Sequence, residues 1–309
     1  MRVLVTGASG AVGRALVPAL LAGGHDVVAL TRDRSRVAVH PWAGDVSVVV
    51  GDVTRWVDLE AALDRCDAAV YLVHGMEGRL GRLAERERRQ AATFRDAAER
   101  AGVAHVVYLG GLLDDDRLPT MSEHMYARQQ AGVTLAQGDV PVTEVRAGIV
   151  LDPASASFRM LDAAARSPVR FAPPFARNRV QPIAGPDVVE ALLAVLASAP
   201  SASRVLDVGV PEAVTYHELT ERYAAVAGLP WRPTLPLPYT PPGAAAPAVA
   251  RATGLDLALV LPLLESSRTD AVVDPARDLT AVLGFRPRPL DEALAWVHDA
   301  ARRARLRRA

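Results

Sequence analysis

Residues 2–13, RVLVTGASGAVG, constrain the fold of this chain more than any other stretch. An apolar run around Val3, Leu4 and Val5 passes without a spacer into Gly7, Gly10 and Gly13, and apolar residues then recur at helical spacing at Val12, Leu16 and Leu20. A buried strand followed at once by a helix satisfies both periodicities. Gly7 permits a tight turn, Gly10 lets a pyrophosphate approach the backbone, and Gly13 lets the helix pack close on the sheet. The helix N-terminus created there attracts negative charge. A glycine triplet alone is a weak signal; at the first strand-to-helix junction of an α/β pattern it is a strong one. Pro18, within the first helix, should remove one backbone bond and bend the axis.

The same alternation continues downstream. Residues 26–31, 46–52, 68–73, 105–110 and 142–151 read as buried strands, with helical patterns between them. Strand and helix in alternation imply right-handed crossovers and an α/β fold with a Rossmann-type, doubly wound parallel sheet. After residue 151 the pattern loosens. Residues 185–198 read as a helix and 204–209 as a strand returning to the sheet, so residues 1–151 with 179–210 form the expected dinucleotide-binding domain. Residues 152–178 and 211–309 form a smaller, mostly helical substrate-binding region. Thr215 followed by Glu218 has the spacing of a helix-capping box. The proline-dense stretch 229–248 should be neither a regular helix nor a central strand, and with the apolar helix that follows it could close over a cleft as a lid (229–265).

Composition excludes several function classes. Thirty-five basic residues balance thirty-five acidic ones across 309 residues, which argues against a general nucleic-acid binder or a binder of acidic membranes. The tail ARRARLRRA is a local exception, read as a frayed helix end whose arginines oppose the helix dipole. Cys66 is the one cysteine, so neither an internal disulfide nor a cysteine metal site can form. No apolar run approaches the roughly 18 residues of a membrane span, and no signal-peptide pattern opens the chain. A cytoplasmic monomer or homodimer without a metal is expected. Every basic residue is arginine; the chain contains no lysine.

The second strand ends LTRDRSR, placing Arg32 at its tip with Arg34 and Arg36 close behind. An acid at that tip would bind the ribose hydroxyls of NAD; guanidinium groups suit a ribose phosphate, so NADP(H) is the expected cofactor, held by Arg32 and Arg36. Asp33 lies one residue past the tip. Asp52 and Val53, ending the third strand, are placed to meet adenine. The glycine loop contributes Gly7, Ser9, Gly10, Ala11, Val12 and Gly13.

With these motifs, together with YLVHG at 71–75, RAGIV at 146–150, RVQPIAGPDV at 179–188 and the late LGFRPRPLDEAL, the chain resembles the short-chain dehydrogenase/reductase superfamily over essentially its whole length. The resemblance is to the extended and atypical branches, with NmrA-like and epimerase-like members. It implies that the ends of the fourth, fifth and sixth strands line the cofactor: Leu72, Val73, His74 and Gly75; Leu109, Gly110 and Gly111; Ala147, Gly148 and Ile149.

Carbonyl-reducing members of that superfamily use a serine and a tyrosine followed four positions later by lysine; the lysine lowers the tyrosine pKa, and the tyrosine protonates the developing alkoxide. A chain without lysine cannot build that arrangement. The serine position falls on Gly111. In SEHMYARQQAG (122–132) two registers are open: His124 with Arg128, or Tyr126 with Gln130. Three readings follow. In the first, His124 donates the proton, with Arg128 holding the cofactor, and Tyr126 is the candidate donor of the other register. Alternatively, a polycyclic aromatic ketone carries its own hydroxyl beside the carbonyl, bound near Ser122, Phe158, Met160, Phe171 and Phe175 beneath the proline-rich lid. Or the protein is a non-catalytic, NADP(H)-binding redox sensor, for which a deep apolar cleft would be superfluous. The second is favoured, and as a resemblance it points to ketoreductases that tailor aromatic polyketides.

Overall fold

The computed structural model describes residues 1–73, 82–114, 121–198, 200–237 and 240–306. His74 and Gly75 lie outside them. The first half runs β1 (Arg2–Thr6), α1 (Gly13–Ala22), β2 (Asp26–Thr31), α2 (Arg34–Ala38), β3 (Ser47–Val50), α3 (Trp56–Leu63), β4 (Ala68–Tyr71), α4 (Leu83–Arg100), β5 (His105–Gly111), α5 (Glu123–Leu135) and β6 (Val142–Ala147). Then come β7 (Val150–Leu151), α6 (Ala156–Arg166), β8 (Arg170–Ala172), β9 (Arg179–Val180), β10 (Ile183–Ala184), α7 (Gly185–Ala197) and β11 (Arg204–Val208). The chain ends with β12 (Val214–Thr215), α8 (Tyr216–Val226), β13 (Thr234–Pro236), α9 (Pro242–Thr253), α10 (Leu257–Ser266), α11 (Leu279–Leu283) and α12 (Leu290–Leu306).

Among the described residues, seven strands form one sheet in the order β11-β6-β5-β4-β1-β2-β3, and every pairing in it is parallel. This is the α/β doubly wound fold expected from the alternating pattern. Its inner strands are buried on both faces, which is why they read as continuous apolar runs. On one face α1 and α7 bring Val17, Leu20, Val188, Leu192 and Val195 against the sheet. On the other, α3, α4 and α5 contribute Leu59, Phe94 and Leu135, packed on Tyr71 and Tyr108. Each such Leu or Phe is worth about 1.5–3 kcal/mol on burial.

The sixth strand is not the single run 142–151. It ends at Ala147, and Gln181 passes so close beyond it that a Cβ on Gly148 would stand 1.7 Å from the Gln181 carbonyl oxygen. The chain turns out of the sheet there and pairs β7 with β10. The proline-dense stretch also departs from expectation. β13 runs parallel to β8 as a short two-stranded piece, and Pro242 and Pro247 lie within α9. Pro242 sits in the first turn, where its missing N–H removes no helical bond. α9 and α10 enclose Ala246, Val260 and Leu264 together with Met160 and Phe175. A further core joins α6, α8 and α12 through Phe158, Leu219, Tyr223 and Leu294. The arginine-rich end stays helical to Leu306, tied back by an Arg305–Asp162 ion pair of 2.7 Å. No helix among the described residues is long and apolar enough to cross a membrane.

One buried ion pair dictates two glycines. Glu144 and Arg146, two apart on β6 and so on one face, meet at 3.0 Å and are almost fully buried. A Cβ on Gly110 of β5 would approach Glu144 Oε1 to 2.6 Å, and one on Gly132 of α5 would approach Oε2 to 2.4 Å. Glycine inside a helix costs about 1 kcal/mol relative to alanine, so Gly132→Ala would stabilise the chain if space allowed. The buried carboxylate cannot move aside without loosening its ion pair, and overpacking costs about 1–3 kcal/mol. We therefore expect Gly132→Ala to lose roughly 1–2 kcal/mol net in urea unfolding; a stabilised variant would show that Glu144 yields freely.

His105, at the start of β5, is buried, with Nε2 3.0 Å from Thr143 Oγ1. Burial, and after it the charge of Arg204, pushes its pKa down to about 4 from 6.5. Between those values the unfolded chain binds a proton that the native chain refuses, so this contribution is complete above pH 6.5 and is lost as the pH falls towards 4. Asp187 and Asp207, shifted upward by burial, act in the opposite sense. The check is therefore the difference between wild type and His105→Gln: the wild type should lose more stability than the variant from pH 7 to pH 5, and equal losses would exclude His105.

Candidate functional site

The site begins at the β1–α1 turn. Gly7 has φ +75°, in the left-handed region, and its carbonyl accepts the Gly10 N–H at 2.9 Å. A Cβ on Gly13 would lie 2.3 Å from the Gly7 carbonyl oxygen and 2.7 Å from Ala8 Cα, so only glycine lets α1 start this close to the turn. The first turn of α1 carries neither an acidic residue nor a side-chain cap. A helix start left in that state, above a cradle that a single Cβ would fill, fits the diphosphate of a dinucleotide.

From this turn a continuous cleft of about 1250 Å³ runs along the C-terminal edge of the sheet. All of the glycine-loop residues expected from the sequence line it, and so do Arg32, Arg36, Asp52 and Val53. Asp33 is engaged elsewhere. Its carboxylate caps α2 by accepting the Ser35 N–H at 2.9 Å, and the Ser35 hydrogen bonds hold it below the usual carboxylate range. The acid beside the strand tip is thus occupied by the helix, while Arg32 and Arg36 are exposed along the cleft. Asp52 is oriented from both sides. Its carboxylate accepts the Thr54 N–H and hydroxyl, both at 2.8 Å, and its own N–H donates to Asp58 at 2.9 Å.

The ends of β4, β5 and β6 complete the floor: Leu72 and Val73, then Leu109, Gly110 and Gly111, then Ala147, Gly148 and Ile149, all line the cleft. α5 stands beside them. Ser122 caps α5 by accepting the Met125 N–H at 3.2 Å and meets Ser266 Oγ of α10 at 2.9 Å, joining the two helices. His124, only 5 % exposed, and Arg128 face the cleft. Arg128 donates from Nη2 to the Leu109 carbonyl and lies over the Tyr108 ring at 5.6 Å; the Tyr108 hydroxyl donates to the Arg128 carbonyl at 3.0 Å. Burial raises the pKa of Tyr108 far above its ordinary value, so it serves here as a neutral hydrogen-bond donor.

Of the two registers on α5, the structure brings His124 and Arg128 to the cleft. Tyr126, two residues or about 200° further round the helix, is 41 % exposed and outside the cleft lining. Two residues expected at the substrate lie elsewhere. Phe158 is 2 % exposed within the α6–α8 core, edge-on to Tyr223 at 5.5 Å. Ser122 is the helix cap described above and not part of the lining. Both depend on which face of a helix turns inward. Met160, Phe171 and Phe175 do line the cleft.

Sequence reading missed Met125, Leu264 and Arg170 in the lining. Met125 follows from its spacing to Arg128, one turn on. Leu264 and Arg170 carry no local signal, because the elements they face are remote in sequence. Among the described residues no cluster of metal-ligating side chains occurs.

Known proteins share the fold and a family model. A 3-beta-hydroxysteroid dehydrogenase of Mycolicibacterium neoaurum is 34% identical over 116 residues, 35% of this chain and 31% of its own, so the match spans about a third of that relative. Among solved structures, the triphenylmethane reductase of Citrobacter sp. superposes with a TM-score of 0.75 at 18% identity, covering 98% of this chain and 100% of its own. The NADPH-dependent quinone oxidoreductase QOR2 of Escherichia coli gives 0.73 at 18% identity, covering 96% and 99%. At these identities the two structures show a shared fold. The model of a family described as NAD(P)H-binding matches residues 7–172, more than half of the chain, and the protein belongs to that family.

Proposed function

We propose that the protein is an NADPH-dependent ketoreductase for a polycyclic aromatic ketone. One observation carries this reading: the nucleotide cleft continues without a break into a chamber walled by Met160, Leu161, Phe175, Val249 and Leu264. A redox sensor would need the first part of that cleft and not the second. The relatives' names refer to a hydroxysteroid, a quinone and triphenylmethane dyes, consistent with reduction or oxidation of bulky carbon frameworks. The sequence resemblance to ketoreductases of aromatic polyketides, such as those acting on angucyclinones, points the same way.

Bound NADPH would supply the hydride. The chain supplies placement: the glycine turn and the start of α1 hold the diphosphate, Arg32 and Arg36 meet the ribose phosphate, and Arg128 braces the end of β5 beside the reacting region. The apolar chamber excludes water and orients the ring system. Orientation of this kind contributes about 7–11 kcal/mol in favourable cases. Arginine, always protonated, cannot replace the lysine of a Tyr–Lys pair as a tunable activator. The alkoxide formed at the carbonyl carbon is stabilised by a hydroxyl that the substrate carries beside the carbonyl, and its proton comes from that hydroxyl or from solvent.

Two outcomes test this reading. Purified protein should oxidise NADPH with an aromatic ketone bearing a hydroxyl beside the carbonyl and leave its deoxy analogue essentially untouched; equal turnover of both would shift the proton donor to His124, and tight NADPH binding with no turnover would favour the sensor. Arg32→Ala should raise KM for NADPH by roughly tenfold to a hundredfold, the value of a charged hydrogen bond, with little change for NADH. Equal losses for the two nucleotides would remove Arg32 from phosphate recognition.

A further inference from the structure

The substrate half of the cleft is largely apolar, yet Arg170 stands in its wall. Its side chain is only 5 % exposed. It is held there by β8: the Arg170 N–H donates to the Pro233 carbonyl at 3.0 Å, and Arg170 is in register with Thr234 of β13. Arg170 Nη1 donates to Glu221 Oε2 on α8 at 2.6 Å, and the Thr234 hydroxyl donates to the other oxygen of Glu221 at 3.3 Å. The carboxylate is thus fixed between two elements and orients the guanidinium. Nε is buried and has no hydrogen-bond partner among the described residues.

A guanidinium offers five N–H donors, and buried donors are ordinarily satisfied. Glu221 engages Nη1, at one end of the fork. The donors at the other end of the fork are of the kind that pair with a carboxylate or phenolate. His217 and Thr220, within one turn of Glu221 on α8, line the cleft as well. The rest of the chamber is largely apolar, which strengthens any charge interaction made there.

We propose that Arg170, oriented by Glu221, anchors an acidic oxygen of the substrate and selects aromatic ketones that carry a carboxylate or an ionised phenol over neutral ones. This rests on the reading of the chamber as a site for an aromatic substrate, and it adds the charge that this substrate carries. Arg170 acts as a binding and specificity residue and takes no part in the transfer of hydride or proton.

The experiment is a binding titration on the protein loaded with NADP+, using anthraquinone-2-carboxylate and 2-methylanthraquinone as probes, so that turnover plays no part. Wild type should bind the carboxylate roughly tenfold more tightly or better, in keeping with a charged hydrogen bond. Arg170→Met should bring the two affinities within about twofold while NADP+ affinity is unchanged, as expected when charge is removed and volume kept. Equal affinities in wild type, or a preference retained by Arg170→Met, would overturn the proposal. Glu221→Gln, at a half-exposed position, covers the case in which Arg170→Met does not fold. Removing the counter-charge should widen the preference for the carboxylate; an unchanged or narrowed preference counts against the anchor. Failure of both probes to bind would overturn the chamber reading together with this one, whereas binding of the neutral quinone alone would leave the first standing and remove the second.

Discussion

Helix α1 can begin where it does only because residue 13 has no side chain. The 2.3 Å that a Cβ would leave to the Gly7 carbonyl oxygen forces glycine there, and the left-handed turn six residues earlier requires it at Gly7. This close approach sets the distance between helix and sheet and points the start of α1 at the C-terminal edge of β1. Every other strand of the main sheet runs parallel to β1, so their C-terminal ends, and the residues following them, collect along that same edge. The nucleotide cleft is thus a consequence of chain direction, and the glycine turn anchors it.

The absence of lysine has a structural counterpart on α5. Arg128 grips the Leu109 carbonyl and stacks over Tyr108, fixing the end of β5 against the helix. Behind it, the buried Glu144–Arg146 pair fills the space left by Gly110 and Gly132. Removing one partner of a buried ion pair is far costlier than the net worth of the pair, so this arrangement holds strands and helix in one register.

The other half of the cleft is assembled differently. α6, α8, α9, α10 and the β8–β13 piece are short elements joined by individual polar ties. Ser122 to Ser266 links α5 to α10, Asn178 Nδ2 donates to the Ser267 carbonyl at 2.7 Å, and Arg14 pairs with Asp152 at 2.5 Å across to α1. Such ties register the chamber against the nucleotide cleft, while the chamber's own shape comes from the apolar faces of α6, α9 and α10.

Sequence by itself determined the elements whose signals are local. Continuous apolar runs and period-3.6 patterns located the sheet strands and their helices, glycine spacing located the β1–α1 turn, and the arginines after Thr31 marked the end of β2. Thr215 as a helix cap was equally legible, since its hydroxyl needs only the Glu218 N–H three residues on, 3.0 Å away. Tertiary structure decided matters of face and partner. His124 and not Tyr126 turns inward, Phe158 belongs to a core while Met160 reaches the cleft, and Asp33 caps a helix. Strand β6 ends at Ala147, and Gln181, far along the chain, passes close enough to require glycine at 148. Arg170 could not have been singled out, because Glu221 lies fifty-one residues away and is brought to it by the packing of α8. Local rules act over one or two turns of chain; which side chains share a wall is settled by long-range packing, where a rotation of one residue sends a group from cleft to solvent.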